Sequence, residues 1–144
     1  MSHPVKIQIG DWAACRDHAM VIRHEVFVQE QNVPLELELD HQDENCIHAV
    51  AYNSQGEAIG TGRLLPDGHI GRIAVRAKCR GMGIGSKLLD ALMNEARLRH
   101  HMEVVLSAQT HALKFYTRRG FVAEGITYMD AGIEHVTMRH PLTA

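Results

Sequence analysis

The amino-acid sequence predicts an α+β fold in which helices flank a mostly antiparallel sheet. Three observations predict it. Residues 46–75 contain three strand-like runs joined by the turn clusters Asn53–Gly56 and Pro66–Gly68, so three antiparallel strands are expected in succession. A helix with apolar residues at helical spacing follows, to about Arg99. Further strands and a second helix complete the chain.

The N-terminal part begins with a strand and a helix. Apolar and polar residues alternate from Val5 to Ile9, which is typical of a half-buried strand. Asp11 then stands where a helix N-cap is expected, ahead of a helical stretch to about His24. The buried face of this helix is expected to comprise Ala19, Ile22 and Val26. From Val26 to Leu39, polar residues and a proline break any simple period, which predicts a short helix and a loop.

The rest of the chain alternates strands and helices without an internal repeat, a low-complexity stretch or a linker. Its second helix starts at Ala112 and ends at Gly120, a glycine followed by apolar Phe121 as in a Schellman cap. The apolar stripe of its first helix is Leu88, Leu89, Leu92, Met93 and Ala96. In chain order, the predicted strands are Cys46–Tyr52, Ala58–Leu65, His69–Val75, Val104–Leu106, Phe121–Ile126 and His135–Arg139.

Length and charge limit the classes of protein to consider. The chain has 144 residues, of which 45% are hydrophobic. Since a domain usually contains about 100–200 residues, we expect one domain over residues 1–144. The 15 Lys and Arg residues are balanced by 17 Asp and Glu residues, giving a formal net charge of -2. No overall basic field is available to bind nucleic acid or an anionic membrane surface, so we expect neither partner.

Cysteine usage and the lack of long apolar runs favour a reduced, soluble setting. Cys15, Cys46 and Cys79 are widely spaced and form no CxxC or His/Cys cluster, which argues against a disulfide scaffold and against a bound metal. The opening segment Met1–Gly10 lacks the apolar core of a signal peptide, and no run approaches the ~18 apolar residues of a membrane span. We expect a cytoplasmic protein.

A glycine-rich segment, Arg80–Gly85 (RGMGIG), joins a predicted strand to a predicted helix. Backbone N–H groups and the positive end of the helix dipole would converge there on a small volume suited to a phosphate, with Arg80 as a charged donor. A tight turn without a ligand is the alternative. A Walker loop does not fit, because Gly85 is followed by Ser86 and then Lys87, in the wrong order and spacing. Antiparallel strands before the segment argue against a Rossmann fingerprint.

Together with a second motif, this segment resembles the GNAT superfamily of N-acetyltransferases. Arg80–Gly85 fits the family pattern Gln/Arg-x-x-Gly-x-Gly/Ala of the acetyl-CoA loop, and AxxFYxxxGF from Ala112 to Phe121 resembles the downstream motif. Residues 23–31 (RHEVFVQEQ) and 132–138 (GIEHVTM) are similar to a small bacterial, largely uncharacterised subgroup. The resemblance spans nearly the whole chain and implies a three-layer fold, with a mixed, mostly antiparallel central sheet flanked by helices.

The resemblance further implies an acyltransferase that uses acetyl-CoA as co-substrate and no metal. It would transfer an acetyl group to a primary amine of a small molecule or peptide by direct attack on the thioester. The pantetheine arm would lie in a cleft of the splayed sheet, paired with backbone groups of Ile73 and Val75, and the pyrophosphate would lie over the glycine loop. The residues implied to bind the co-substrate are Ile73, Ala74, Val75, Arg80, Gly81, Met82, Gly83, Ile84, Gly85, Ser86, Gln109 and Tyr116.

Tyr116 matches the tyrosine of the family's downstream motif, which implies the role of general acid. A phenol, whose ordinary pKa is about 10, stays protonated at neutral pH and can donate a proton to the leaving thiolate. Core packing is the alternative, and we expect Phe115 to be the core residue and Tyr116 the residue in the cleft. A backbone N–H near Ile73 or Ala74 would stabilise the oxyanion.

The general base is less clear from the sequence. Gly71 and Arg72 occupy the strand position where many relatives carry a glutamate. The candidates, in order, are Glu30 and His111, then His135, and last Glu25. Each of them is alternatively a solvated or hydrogen-bonded structural residue, and desolvation of the bound amine or a water relay would make a base side chain unnecessary.

The missing glutamate also permits a non-catalytic acyl-CoA-binding module or sensor, and a nucleotide-binding domain is a remoter alternative. The acidic run Glu36–Glu44 lies on the acceptor side of the implied cleft, where it would be either a solvated loop or an attraction for a cationic acceptor. An exposed sheet edge near the last strands would allow a second copy to pair, so the sequence leaves a homodimer open.

Overall fold

Strands and helices alternate along the chain in the computed structural model, which describes residues 4–142. The first three residues of the opening segment therefore lie outside the described part, as do the last two residues of the expected domain. The strands are β1 Lys6–Gly10, β2 Ile47–Tyr52, β3 Ala58–Leu64, β4 Ile70–Val75, β5 Glu103–Gln109, β6 Val122–Asp130 and β7 Ile133–Pro141. The α-helices are α1 Trp12–Arg23, α2 Leu35–Glu38, α3 Ile84–Leu98 and α4 Leu113–Arg118. The predicted α+β class is confirmed.

The strands form two antiparallel sheets that meet at one point. One sheet has the order β1-β2-β3-β4 and the other the order β5-β7-β6. Between them, residues 4–142 contain a single parallel bridge, from His69 to Val105, with Val105 N–H donating to the carbonyl of Gly68 at 3.2 Å. Because β4 and β5 run on from this bridge in the same direction without pairing, they diverge. The splay that the family resemblance implied is therefore present between these two strands.

Helix α3 covers the first sheet with the apolar stripe that its sequence predicts. Leu88, Leu89, Leu92, Met93 and Ala96 are all buried. Two glycines of β3 permit the close approach of this helix, since a Cβ at Gly62 would lie 2.9 Å from Leu92 Cδ1. Burying each large apolar side chain of this kind stabilises the fold by about 1.5–3 kcal/mol relative to leaving it exposed.

Helix α1 begins, packs and ends as predicted, but helical structure continues beyond it. The Asp11 carboxylate accepts a hydrogen bond from Ala14 N–H at 2.9 Å, and the predicted inner face is buried. The chain then continues without a break into a π-helix, His24–Glu30, where the sequence predicted only a short helix. Gln31 N–H donates to the carbonyl of Val26, five residues earlier, at 3.0 Å. π-Helical turns are rare and occur frequently at functional sites.

Helix α4 ends in the predicted Schellman cap. Gly120 has φ +95°, a conformation that an L side chain would strain. Phe121 N–H donates to the carbonyl of Tyr116 and Gly120 N–H to that of Thr117, both at 3.1 Å. The cap fixes the path from α4 into β6 and so holds the last turn of α4 against the core.

Strand β6 is longer than predicted and forms the outer edge of its sheet. All nine of its residues are exposed, and its pairing with β7 is interrupted by a bulge between Glu124 and Tyr128. The predicted pairing of a second copy would use this edge, and it stays a prediction. Within residues 4–142, no helix has both the length and the apolar character needed to cross a membrane.

Candidate active site

A cavity of about 1050 Å³ opens where β4 and β5 diverge. The glycine loop and α4 line one side of it, and the π-helix, α2 and the β6–β7 hairpin line the other. Of the residues predicted to bind a co-substrate, Met82 alone does not line this cavity, and its side chain is 44% exposed. Glu30, His111 and His135 from the list of candidate bases line it, whereas Glu25 does not.

The glycine loop has the backbone geometry of an anion site. Gly81 and Gly83 have φ of +81° and +79°, while a Cβ at either position would meet nothing within 4 Å, so their backbone dihedrals rather than lack of space require glycine. Gly83 is the N-cap of α3, whose fifteen residues give a full helix dipole. The first N–H groups of this helix have no intrahelical partner, and they point toward the loop. The loop is thereby suited to hold a phosphate.

Arg80, at the start of the loop, is held by a carboxylate from the other side of the cavity. Its Nη1 and Nη2 donate to Glu30 Oε2 and Oε1 at 2.5 and 2.7 Å, and its Nε donates to the carbonyl of Val75 at 3.0 Å. The hydrogen bonds from Arg80 lower the pKa of the Glu30 carboxyl. Glu30 is therefore a weaker base here than a free glutamate. Both side chains are about two-fifths exposed, 43% and 40%, so the pair adds little to stability.

Tyr116 and Phe115 of α4 both line the cavity and both pack against the hydrophobic core. Phe115 therefore packs against the core and Tyr116 lines the cavity, as predicted, but each ring does both, so the two residues do not divide these roles between them. The two rings meet edge to face at 5.0 Å, and Tyr116 meets Phe121 in the same way at 5.8 Å. Burial raises the pKa of Tyr116 to about 12, which keeps its phenol protonated.

Two amide side chains bridge the cavity between β5 and the end of the π-helix. Gln109 Nε2 donates to Gln31 Oε1 at 2.9 Å. His111 Nε2 lies 2.5 Å from Gln109 Oε1, and because an amide oxygen only accepts, the histidine nitrogen donates. Gln31 was not a candidate site residue in the sequence, because a glutamine in an irregular segment carries no signal of a long-range partner.

A buried ion network under the acceptor side was also missed by sequence reasoning. Arg23 donates from Nε to Glu38 and from Nη1 and Nη2 to Asp43 at 2.7 and 3.2 Å. Arg63 donates to Asp43 at 2.9 Å and to Asp40 at 2.5 Å. Glu38, Asp40 and Asp43 of the acidic run are thus paired with arginines and not free to attract a cation, whereas Glu36 and Glu44 are exposed, as in a solvated loop. One signal was available, since Arg23 continues the buried stripe of α1 and a buried charge requires a partner.

Arg72 lies in β4, in the neighbourhood where the family resemblance led us to expect a glutamate. Its φ is +51°, and β4 bulges here against β3. Its Nη2 donates to the carbonyls of Leu37 and Glu38, at 3.2 and 3.1 Å, and to Asp40 at 3.3 Å. The arginine lines the cavity and supplies no base, which agrees with the sequence reasoning that a base must come from elsewhere. Residues 4–142 contain no group of three or more His, Cys, Asp or Glu side chains placed to hold a metal ion.

Comparison with known proteins shows which family the chain resembles. The model of the acetyltransferase (GNAT) domain matches residues 13–142. The uncharacterized N-acetyltransferase YjcF of Bacillus subtilis is 37% identical over 124 residues, which cover 83% of this chain and 88% of YjcF. The crystal structure of an acyl-CoA N-acyltransferase from Pseudomonas aeruginosa is similar with a TM-score of 0.85 and 30% identity, covering 95% of this chain and 99% of that one. ElaA of Escherichia coli, at 24% identity and a TM-score of 0.85, supports the fold alone, over 95% and 99% of the two chains.

Proposed function

Because the chain belongs to the GNAT superfamily of acetyltransferases, we propose that it transfers the acetyl group of acetyl-CoA to a primary amine of a small molecule or peptide by direct attack on the thioester. The family relationship supports an acyltransferase enzyme rather than the non-catalytic binding module. The observation that carries the proposal is the meeting of a glycine loop, suited to a diphosphate, and a buried tyrosine, suited to a proton donor, in one cavity.

In this proposal the donor substrate lies along the splay between β4 and β5. Its pyrophosphate accepts hydrogen bonds from the loop N–H groups of residues 81–86 and from Arg80. Its pantetheine arm pairs with backbone groups of Ile73 and Val75 in β4, which is an edge strand of its sheet and, among residues 4–142, pairs there only with β3. Met82 contributes its backbone alone, because its side chain lies outside the cavity.

The acceptor amine attacks the thioester carbon from the side of the π-helix and the β6–β7 hairpin. A backbone N–H of Ile73 or Ala74 stabilises the oxyanion that forms. When the carbon–sulfur bond breaks, Tyr116 donates its phenolic proton to the departing thiolate. The buried setting that raises the pKa of Tyr116 to about 12 also raises the pKa of the thiol formed beside it, so the proton transfer stays feasible.

Thiol release from acetyl-CoA in the presence of a panel of diamines, amino sugars, amino acids and short peptides tests this function. Tyr116→Phe is the matching variant, since phenylalanine keeps the edge-to-face packing and removes only the hydroxyl. We expect kcat to fall by about 100-fold, with acetyl-CoA affinity by calorimetry little changed. Tyr52→Phe, which removes a hydroxyl 2.7 Å from His18 outside the cavity, is the control.

Two results would each contradict a different part of the proposal, the role of Tyr116 or the transfer to primary amines. Equal turnover by the parent and Tyr116→Phe would remove Tyr116 as the acid and leave the reaction standing. Tight acetyl-CoA binding without acetylation of any amine in the panel would argue against transfer to primary amines.

A further inference from the structure

We propose that His135, on β7, is the general base that takes the proton from the acceptor amine. The proposal rests on the proposed acetyl transfer and adds to it the residue that the missing strand glutamate leaves unassigned. His135 lines the cavity and is 8% exposed, so its ring is sheltered from bulk water while one part of it reaches the site.

The protein backbone fixes which nitrogen of the His135 ring carries the proton. Nδ1 lies 2.7 Å from the carbonyl oxygen of Ile133, and a carbonyl only accepts, so Nδ1 is the protonated nitrogen. In the neutral ring, Nε2 therefore holds the free lone pair. This is the form of histidine that acts as a base, and a hydrogen bond to the other ring nitrogen is the usual way to hold it.

The lone pair of Nε2 is available to a ligand. Within residues 4–142, the only side-chain nitrogen and oxygen atoms that are fully buried without a hydrogen-bond partner are Nε of Arg63 and Nε of Arg72. Nε2 of His135 makes no hydrogen bond in this part of the chain, and it is not among these atoms. It is therefore accessible from the cavity. The ring is stacked on Tyr128, with the centroids 6.1 Å apart and the planes 18° apart. The Tyr128 hydroxyl is hydrogen-bonded to Ser107, which also lines the cavity. The stack and the hydrogen bond to the Ile133 carbonyl both favour this orientation of the imidazole.

The other candidate bases are engaged or exposed. Both oxygens of Glu30 accept hydrogen bonds from Arg80, which lower its pKa. Glu38 accepts from Arg23 and lies 3.7 Å from Arg72 Nε. His111 is exposed, and its Nε2 donates a hydrogen bond to Gln109, so its free nitrogen, Nδ1, belongs to a solvent-exposed ring. His135 combines shelter, a fixed tautomer and an open lone pair.

The proton balance of the step is complete without a further reactant. The amine nitrogen forms a bond to the thioester carbon, and Nε2 of His135 takes a proton from that nitrogen. The carbon–sulfur bond then breaks, and Tyr116 gives its proton to the sulfur. Release of the imidazolium proton to solvent and reprotonation of Tyr116 restore the enzyme, with the acetylated amine and the free thiol as products.

Charged and titratable groups reach this cavity from every element around the ring, so the pH profile must be assigned by variants. Those that share the cavity with His135 are Glu30, Glu38, Arg72, Cys79, Arg80, His111, Tyr116 and Asp130. Tyr128 is the group stacked on the ring itself.

His135→Asn is the decisive variant, because the asparagine amide can still donate to the Ile133 carbonyl while nothing replaces Nε2. The probe acceptor is a weakly basic primary amine that stays neutral across the pH range, so ionisation of the acceptor contributes nothing. The parent is expected to lose kcat/KM as the pH falls and its general base becomes protonated. His135→Asn is expected to lose about 100-fold in kcat and to lose this acid limb, with partial rescue by added imidazole. His18→Asn, outside the cavity, is the matched control for a histidine replacement.

The outcomes separate this proposal from the proposed function. An active parent whose acid limb persists in His135→Asn, or disappears in His111→Asn instead, overturns the role of His135 and leaves acetyl transfer intact. A parent that binds acetyl-CoA but acetylates no amine overturns both. If His135→Asn loses acetyl-CoA binding or its fold, nitrogen-15 spectra of the parent with labelled histidine decide the question. The neutral His135 ring must carry its proton on Nδ1, and a proton on Nε2 overturns the proposal.

Discussion

Replacing Arg23 by methionine removes the cation at the centre of the buried ion network. The arginine side chain is 1% exposed and makes hydrogen bonds to both Glu38 and Asp43, so the variant leaves two carboxylates in a place that water does not reach. Removing one partner of a buried ion pair costs about 3–5 kcal/mol. Arg63, 2.9 Å from Asp43, keeps one of the carboxylates paired, so we expect the lower end of this range. Methionine restores most of the lost apolar contact.

The free energy of unfolding, measured in urea at pH 8 and pH 5, is the assay. We expect Arg23→Met to lose about 3 kcal/mol at pH 8, which corresponds to a fall of roughly 6–12 °C in Tm. The matched control is Arg99→Met, because the exposed pair of Arg99 with Glu95 contributes only about 0.3–0.5 kcal/mol.

The pH dependence separates a charge effect from a packing effect. In the parent, burial alone would raise the pKa of Asp43, but the hydrogen bonds and charges of Arg23 and Arg63 outweigh burial and hold that pKa below its ordinary value. Asp43 therefore stabilises the parent above the pKa of an unfolded aspartate, and this contribution is lost as the pH falls through the lower folded value. Without Arg23, the Asp43 carboxyl loses one of the two cations that hold its pKa down, so its pKa rises and the stability deficit of the variant should shrink from pH 8 to pH 5. A loss under about 1 kcal/mol, or an equal loss at both pH values, would refute the reasoning.

Three further predictions concern the cavity. Burial raises the pKa of Tyr116 to about 12, whereas the phenol of the unfolded chain has a pKa of about 10, so the contribution of Tyr116 to the free energy of unfolding is complete below pH 10 and is lost as the pH rises through 12. Over this interval, the free energy of unfolding measured in urea should fall by about 2–3 kcal/mol more for the parent than for Tyr116→Phe, and an equal fall would contradict this. Glu30→Gln should tighten acetyl-CoA binding by up to about fivefold in calorimetry, since it releases Arg80 from its carboxylate partner, and unchanged or weaker binding would show that Glu30 does not compete with the diphosphate. Gly83→Ala should lower the free energy of unfolding in urea by about 1–2 kcal/mol, because Gly83 has a φ of +79°. Gly85 has no positive φ, so Gly85→Ala is the control that should leave the free energy of unfolding unchanged, and equal losses in the two variants would count against the dihedral explanation.

The elements that contiguous residues specify were predicted well. The N-cap at Asp11, the buried stripe of α3 and the Schellman cap at Gly120 all lie in the structure as the sequence indicated. Each depends on residues within one or two turns, so periodicity and cap chemistry are sufficient to find it. The π-helix at His24–Glu30 was missed, because its extra residue per turn alters the period on which a helix prediction depends.

In the candidate site, too, the sequence predicted the features that neighbouring residues specify and not those that depend on distant partners. The glycine loop and Tyr116 carry local motifs, and the structure brings both to one cavity. The sequence could not rank the candidate bases, because a glutamate or histidine gains or loses basicity through partners far along the chain. Glu30 is paired with a residue fifty positions away, and the pairing of β6 with β7 places Tyr128 against the ring of His135.

The sequence by itself determined the order of strands and helices, the anion loop at the start of α3 and the family to which these motifs belong. Only the tertiary structure decided that Glu38 and Asp43 are buried under Arg23, that Arg80 is held by Glu30 and that His135 faces the cavity. The physical reason is one of range. Backbone dihedrals and helix caps are fixed by neighbouring residues, whereas burial, ion pairing and the protonation of a side chain depend on whatever the folded chain brings against it.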